Sequence, residues 1–157
     1  MKNKLTLAVI TILTLATSAN AKIDIHVGTS KVKLAGESAT AYNIGWGTNS
    51  HNENGFYWGT QFDISSIKLK DHNVTSFGGD LKIGYSFIKD LTVYALVGAL
   101  GQDLRQGQGL GFGYGAGIEY KAFNNVSLNV ESKSYAMSLE ETDYDFDSLG
   151  LNLKYTF

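Results

Sequence analysis

The chain contains no cysteine and no proline among its 157 residues, and only two tryptophans. Without cysteine an exported domain cannot be stapled by disulfides, and cysteine-type metal sites are excluded with them. Average usage of about 5% would supply roughly eight prolines. Proline is the residue an antiparallel ladder tolerates least, so its absence points to strand throughout. A long hydrophobic run is missing as well. The stretch from Leu5 to Ala16 is roughly a dozen residues, whereas a spanning helix needs about 20. Lys2 and Lys4 precede it and Ala19-Asn20-Ala21 follows it, which is the pattern of a cleaved secretory signal peptide over residues 1–21. The mature chain is expected to begin at Lys22. Basic charge is scarce too. With Lys2 and Lys4 removed, 11 basic residues face 15 acidic ones, and a net charge of about −4 argues against a nucleic-acid partner.

What is abundant is glycine, 18 in all, and six of these stand at every second position of GQGLGFGYGAGIEY, from Gly107 to Gly117. A dinucleotide loop would need G-x-G-x-x-G, but the slot three past Gly113 is Ala116. Strict period two means strand instead. A bare face is useful where a neighbour approaches closely. The other face carries Leu110, Phe112, Tyr114, Ala116, Ile118 and Tyr120.

Alternation of this kind recurs in eight segments: Ile23 to Leu34, Ala39 to Thr48, Gly55 to Lys68, Thr75 to Phe87, Leu91 to Gly101, Gln108 to Ala122, Val126 to Leu139 and Phe146 to Phe157. Short polar breaks separate them, with no linker and no helical period. In the last segment Leu149, Leu151, Leu153, Tyr155 and Phe157 share one face, and Ser148, Gly150, Asn152, Lys154 and Thr156 the other.

Which face is inside follows from size, length and aromatics. The polar face is mostly glycine, serine and asparagine, small enough for the lumen of an eight-stranded barrel and too sparsely charged for a wetted exterior. Eleven residues from Leu110 to Tyr120 rise about 36 Å at roughly 3.3 Å each, and a tilt of about 40° leaves near 28 Å, close to a bilayer's apolar band. Trp46 and Trp58 flank one break, and Phe87 and Phe123 stand at two others, as in an interfacial girdle. The reading is an all-β fold: an eight-stranded antiparallel up-and-down transmembrane β-barrel over residues 22–157, polar inside and apolar outside.

The phrases LKIGYSFIKDLTVYALVG, GYGAGIEYKAFNNVSLNVE and LGLNLKYTF resemble the hairpins of the outer-membrane protein A-like and opacity-type porin-like barrels of Gram-negative bacteria. The resemblance implies an outer-membrane location, periplasmic termini and surface-facing loops. It implies that Phe157, with Tyr155 on the same lipid face, is the signal read by the barrel-assembly machinery. It further implies a monomer surrounded by outer-membrane lipid and lipopolysaccharide. Family members that bind hosts use far longer outer loops than AGES, LKDHNV, QDLRQG and EETDYD.

Chemistry-bearing residues are few. His51 and His72 fall in turns, while His26 shares a face with Asp24, an arrangement that could orient a general base. No serine nucleophile accompanies it at a recognisable spacing, and no catalytic or cofactor site is assigned. Asp143, Asp145 and Asp147 match positions 1, 3 and 5 of a calcium loop, but Ser148 replaces its glycine and Lys154 its glutamate. The run, with Glu140 and Glu141, reads as a solvated acidic loop. No metal is assigned. By alternation Asp63, Asp80, Lys82, Glu119, Lys121, Glu131, Lys133 and Lys154 all face inward. Four acids against four bases suit mutual pairing, since an unpaired buried charge is costly. Tyr94 and Leu96 also face inward, and the glycine face of the sixth segment is expected to give them room. The functional expectation is a filled barrel with a structural or surface-interaction role. The alternatives are a narrow porin and a lipid A-modifying enzyme. N-terminal sequencing of the membrane-inserted protein should begin at Lys22, and a mature chain that retains Leu5 to Ala16 would refute the processing reading.

Overall fold

The computed structural model describes residues 21–70, 72–104, 107–139 and 142–157; residues 1–20 of the expected signal peptide, Glu140 and Glu141 lie outside them. Eight strands follow one another: β1 (Lys22–Leu34), β2 (Glu37–His51), β3 (Phe56–Lys68), β4 (Asn73–Ile88), β5 (Leu91–Leu104), β6 (Gly107–Lys121), β7 (Val126–Leu139) and β8 (Thr142–Thr156). Each pairs antiparallel with its sequence neighbours, and β1 pairs with β8 to close the barrel. The amide of Phe157 donates to the carbonyl of Ile23 at 2.9 Å, extending that seam to the last residue. Closure leaves no free edge, so every strand has a partner on both sides, which is the condition for placing a sheet in lipid.

The register fixes the tilt. A path perpendicular to the strands runs from Ile25 through Trp46, Phe62, Gly79, Ala99, Phe112, Ala136 and Asp145. It returns to β1 at Ala35, whose amide bonds the Asp145 carbonyl. Leaving at residue 25 and returning at residue 35 is a stagger of ten residues. A stagger of that size on eight strands tilts them by about 40°.

The turn between β1 and β2, at the end away from the termini, is tight. Ala35 and Gly36 form a two-residue connection with φ of 48° and 87°, positive at both central positions as a type I′ hairpin turn requires. The strands are accordingly longer than the alternation suggested. β2 starts at Glu37 rather than Ala39, β4 at Asn73 rather than Thr75, and β8 at Thr142 rather than Phe146. The Asp143 to Asp147 run, expected as a loop, is therefore strand: Asp143 faces Ser138 and Asp147 faces Ser134 across the β7 ladder. From Phe146 onward the run pairs on both sides, the Asp145 carbonyl accepts from Ala35, and Asp143 pairs with β7 alone, so ladder bonds replace those a loop would leave to water.

Outward faces are apolar in the middle of the barrel. Ile23, Ile25, Ile44, Ile83, Val97, Ile118, Val130, Leu151 and Leu153 are all about half exposed. Trp46 stacks on Phe62 at 5.7 Å, and the pairs Tyr85–Phe87 and Tyr155–Phe157 meet edge to face at 5.4 and 5.1 Å near the termini. Trp58 is half-buried and Phe123 exposed at the same end. A second aromatic row, unforeseen from sequence, consists of Tyr42, Phe77, Phe112 and Tyr114 toward the opposite end.

Past that row the pattern inverts. Lys31, Lys33, Lys68, Thr75, Asp103 and Asp145 point outward and are exposed, and Thr40 among them is half-buried. Val32, Leu34, Ala41, Ile67, Leu69, Val74, Leu100, Tyr135, Met137 and Phe146 pack inside as one apolar cluster. Length explains the inversion. The 15 residues of β6 rise about 38 Å after tilting, against an apolar band of about 25 Å. The last turns of the barrel stand clear of hydrocarbon, so they are built like a water-soluble barrel, greasy inside and polar outside. Position along one strand should then decide the cost of an outward charge. Ile83→Arg is expected to destabilise reversible unfolding from lipid vesicles by about 2–4 kcal/mol, and Thr75→Arg, same strand and face, by about 0–1. Equal costs would refute the boundary.

Candidate functional site

The lumen is the one place where polar side chains converge in the barrel interior among the described residues, and it is built in layers. Nearest the termini, the Lys154 ammonium donates to Glu119 and lies 4.0 Å from Asp24, whose carboxylate also accepts from Asn49 Nδ2 at 2.6 Å. These groups come from β8, β6, β1 and β2, so one layer ties together half the strands.

Above it stands a larger network. Lys82 donates to Gln61 Oε1 and to Glu131 Oε1, and the same Glu131 oxygen accepts from Tyr94 Oη at 2.7 Å. Lys133 reaches Asp80 at 2.6 Å, Glu131 at 3.0 Å and Asp63 at 3.4 Å. Tyr135 Oη donates to the second Asp80 oxygen at 2.7 Å, and His26 Nε2 meets Asp63 at 2.6 Å. Each carboxylate of this network, Asp63, Asp80 and Glu131, therefore has at least two partners, the condition under which charges can be held out of bulk water.

Seven of the eight expected charges sit in these two layers. Lys121 does not. It is the last residue of β6 and is exposed at the mouth near the termini, without an ion pair among the described residues. One turn beyond the packed interior, its ammonium remains hydrated. The Asp24–His26 pairing is corrected as well. Strand alternation puts both residues on one face, but the stagger carries His26 toward Asp63 on β3 and leaves Asp24 with Asn49 and Lys154. Sequence reasoning named Tyr94 but not its role, and missed Gln61, Asn129 and Tyr135. Their inward parity was readable; which carboxylate each would meet was not.

The glycine face is answered by two neighbours rather than one. A Cβ built on Gly117 would stand 2.5 Å from Tyr94 Cζ, and one on Gly115 would stand 3.2 Å from a Leu96 methyl. Those are the expected β5 partners. Gly113, however, makes room for the Tyr135 ring at 2.5 Å and Gly111 for Met137, both from β7. The same device recurs where Gly45 admits His26 and Gly98 admits the Asp80 carboxylate.

Between the charged layers and the apolar cluster lies a cavity of about 60 Å³, lined by Ser30, Ser65, Ser76, Ser148, Asp63 and Lys133 among others. A mouth of about 600 Å³ opens at the end bearing the termini, lined by Lys22, Asn49, His51, Glu119 and Lys121. Tyr57 and Tyr94, with ring centroids 5.6 Å apart and both buried, stand between mouth and network. Chemically the site offers ion pairs and hydrogen bonds, and only its outermost members, Asn49 and Glu119, line the mouth.

A polar, self-paired lumen inside an apolar exterior defines an integral membrane β-barrel. The chain belongs to the outer membrane protein beta-barrel domain family, which it matches over residues 5–157, and is thus an outer-membrane barrel. No curated protein sequence matches it. Among solved structures it is similar to Neisserial surface protein A (14% identity, 87% of this chain, 97% of that one, TM-score 0.61). It is also similar to the attachment invasion locus protein Ail of Yersinia pestis, solved with a heparin analogue (15%, 87%, 97%, 0.57). The outer-membrane enzyme PagL shares the fold (14%, 84%, 98%, 0.53). At such identities the likeness is one of fold, and fold does not decide function.

Crowding in the lumen generates a test. Gly117→Ala should lower the stability of the refolded barrel by about 1–3 kcal/mol, whereas Gly150→Ala, whose new methyl would find its nearest neighbour at 3.4 Å, should be nearly neutral. Urea unfolding from vesicles checks both, and Gly117→Ala combined with Tyr94→Leu should cost less than the separate changes added together.

Proposed function

We propose that this protein is a closed-lumen structural and surface-interaction component of the outer membrane, neither a pore nor an enzyme. The observation that carries the reading is double closure of the lumen. A solute entering from the mouth meets Tyr57, Tyr94 and the Lys82–Glu131 pair, all buried, and then the apolar cluster around Leu100, Met137 and Phe146. An eight-stranded interior is only just wide enough for side chains, and here they occupy it. Against catalysis, His26 is buried and no serine hydroxyl bonds the His26–Asp63 pair among the described residues. With the lumen closed, what remains for interaction is the exterior: outer-membrane lipid, lipopolysaccharide and the short turns. Export through a cleaved signal peptide, recognition of Phe157 and Tyr155 by the assembly machinery and a monomeric state belong to the same proposal.

Planar-bilayer recordings of purified, refolded protein should show no steady channels. Reproducible ohmic steps that vanish in Gly113→Leu would establish a narrow pore instead. A mass change in added lipid A would establish an enzyme.

A further inference from the structure

The lumen holds three of the lysines that the strands carry, Lys82, Lys133 and Lys154, and three others stand together on the outside. Lys31 and Lys33 on β1 and Lys68 on β3 face outward just past the second aromatic row. β2 runs between them: Thr40 is the register partner of both Lys31 and Lys68. The Lys31 ammonium donates to Thr40 Oγ1 at 3.2 Å. Two strand spacings separate Lys31 from Lys68, about 10 Å, so the amines line one patch rather than scatter.

None of the three makes an ion pair among the described residues. Asp147, the register partner of Lys33 on β8, lines the larger depression beside Lys33, accepts from Ser134 Oγ at 2.6 Å and forms no ion pair with that lysine. Two surface depressions of about 420 and 690 Å³ meet at this patch and share Lys31, Ser38 and Ala39. The smaller is floored by Thr40 and Tyr42. The larger descends onto Tyr114, Ala116 and Leu149, in the apolar band.

We infer that this patch is a docking site for one phosphorylated glycolipid of the outer leaflet, its phosphate on Lys31, Lys33 and Lys68 and an acyl chain in the groove beside Tyr114 and Leu149. The inference rests on the outer-membrane reading and on termini facing the periplasm. Three chemical features converge on this occupant. The amines stand at the height where the outward face changes from apolar to polar, which is where a lipid's phosphate lies. They are free to pair with an anion, and basic clusters at that depth are what lipid headgroups select. The depression is amphipathic along its length, as an acylated phosphate is and a soluble anion is not.

The test titrates purified bis-phosphorylated lipid A into the full-length mature barrel, refolded in zwitterionic detergent, and reads affinity by calorimetry. Lys31→Gln/Lys33→Gln/Lys68→Gln should bind at least tenfold more weakly, the corresponding triple arginine variant as tightly as wild type, and Lys121→Gln, at the opposite mouth, without change. Dephosphorylated lipid A should lose a similar factor on wild type, and phosphatidylglycerol should bind less tightly than lipid A. The glutamine residues replace exposed groups, and the circular dichroism of the triple variant should match wild type. Equal affinity of wild type and the triple glutamine variant would overturn the site. Phosphatidylglycerol binding as tightly, with the same lysine dependence, would overturn the glycolipid assignment in favour of any anionic lipid. Neither outcome bears on the conductance test, so the two readings fail separately.

Discussion

Closing eight strands with a stagger of ten residues is the constraint on which everything else in this barrel depends. The stagger sets the tilt, the tilt sets the radius, and the radius leaves a lumen that inward side chains must fill without exceeding. Glycine is how the chain meets that limit. Where a ring or a carboxylate needs volume, the facing position on a neighbouring strand is bare: Gly117 under Tyr94, Gly113 under Tyr135, Gly98 under Asp80. The interior behaves as a two-sided puzzle in which bulk on one strand is written as absence on the next. Packing at this density explains why a single methyl can matter.

The polar content of the lumen needs its own account, because a buried ion pair is weak evidence for stability when measured against a packed apolar core. Here the alternative is not available throughout. The layer nearest the termini borders a wide mouth, where an apolar surface would stand in water. Deeper in, Lys133 reaches three carboxylates on three residues from β3, β4 and β7, linking strands far apart around the circumference. Such a link is directional in a way that apolar contacts are not, and a strand slipped by one residue would leave Glu131 and Asp80 facing hydrocarbon. The network therefore specifies register as well as filling space. At the opposite end, beyond the membrane's reach, the same lumen changes to Val32, Ile67, Val74 and Phe146, because there the outside can be polar and the inside need not be.

Much of this was legible in the sequence because period two has a single geometric meaning. Leu149, Leu151 and Leu153 on one face and Asn152 and Lys154 on the other identify strand, inside and outside together. The strand count and the identity of most lumen charges follow from the same rule. Three things were not legible, each for a physical reason. Partner choice in the lumen depends on stagger, which no local pattern records: Asp24 and His26 are neighbours on one strand and still bond different layers. The ends of strands were misjudged because polar clusters such as EETDYD read as loops, although outside a bilayer a polar residue on an outward face is ordinary for a strand. Lys121 was counted as interior because parity says which face a residue occupies and not how far along the barrel it stands.

That last distinction, height against face, links the architecture to its use. A spanning strand carries two signals, one of period two and one that changes slowly along its length. The slow signal reverses once, between Tyr42 and Thr40 on β2, between Val27 and Lys31 on β1, and between Leu149 and Asp147 on β8. Reversal at one height on several strands is the imprint of a planar environment, since nothing within a closed barrel requires neighbouring strands to switch together. A protein whose lumen is occupied has its exterior through which to act, and the exterior departs from a uniform greasy cylinder at this level and at the end bearing the termini. The aromatic row fixes the depth of the barrel, the lysines above it supply charge of one sign on β1 and β3, and the aspartates of β8 supply the other. Charged headgroups on that side of the bilayer meet the barrel at that ring, where its charges border both water and lipid.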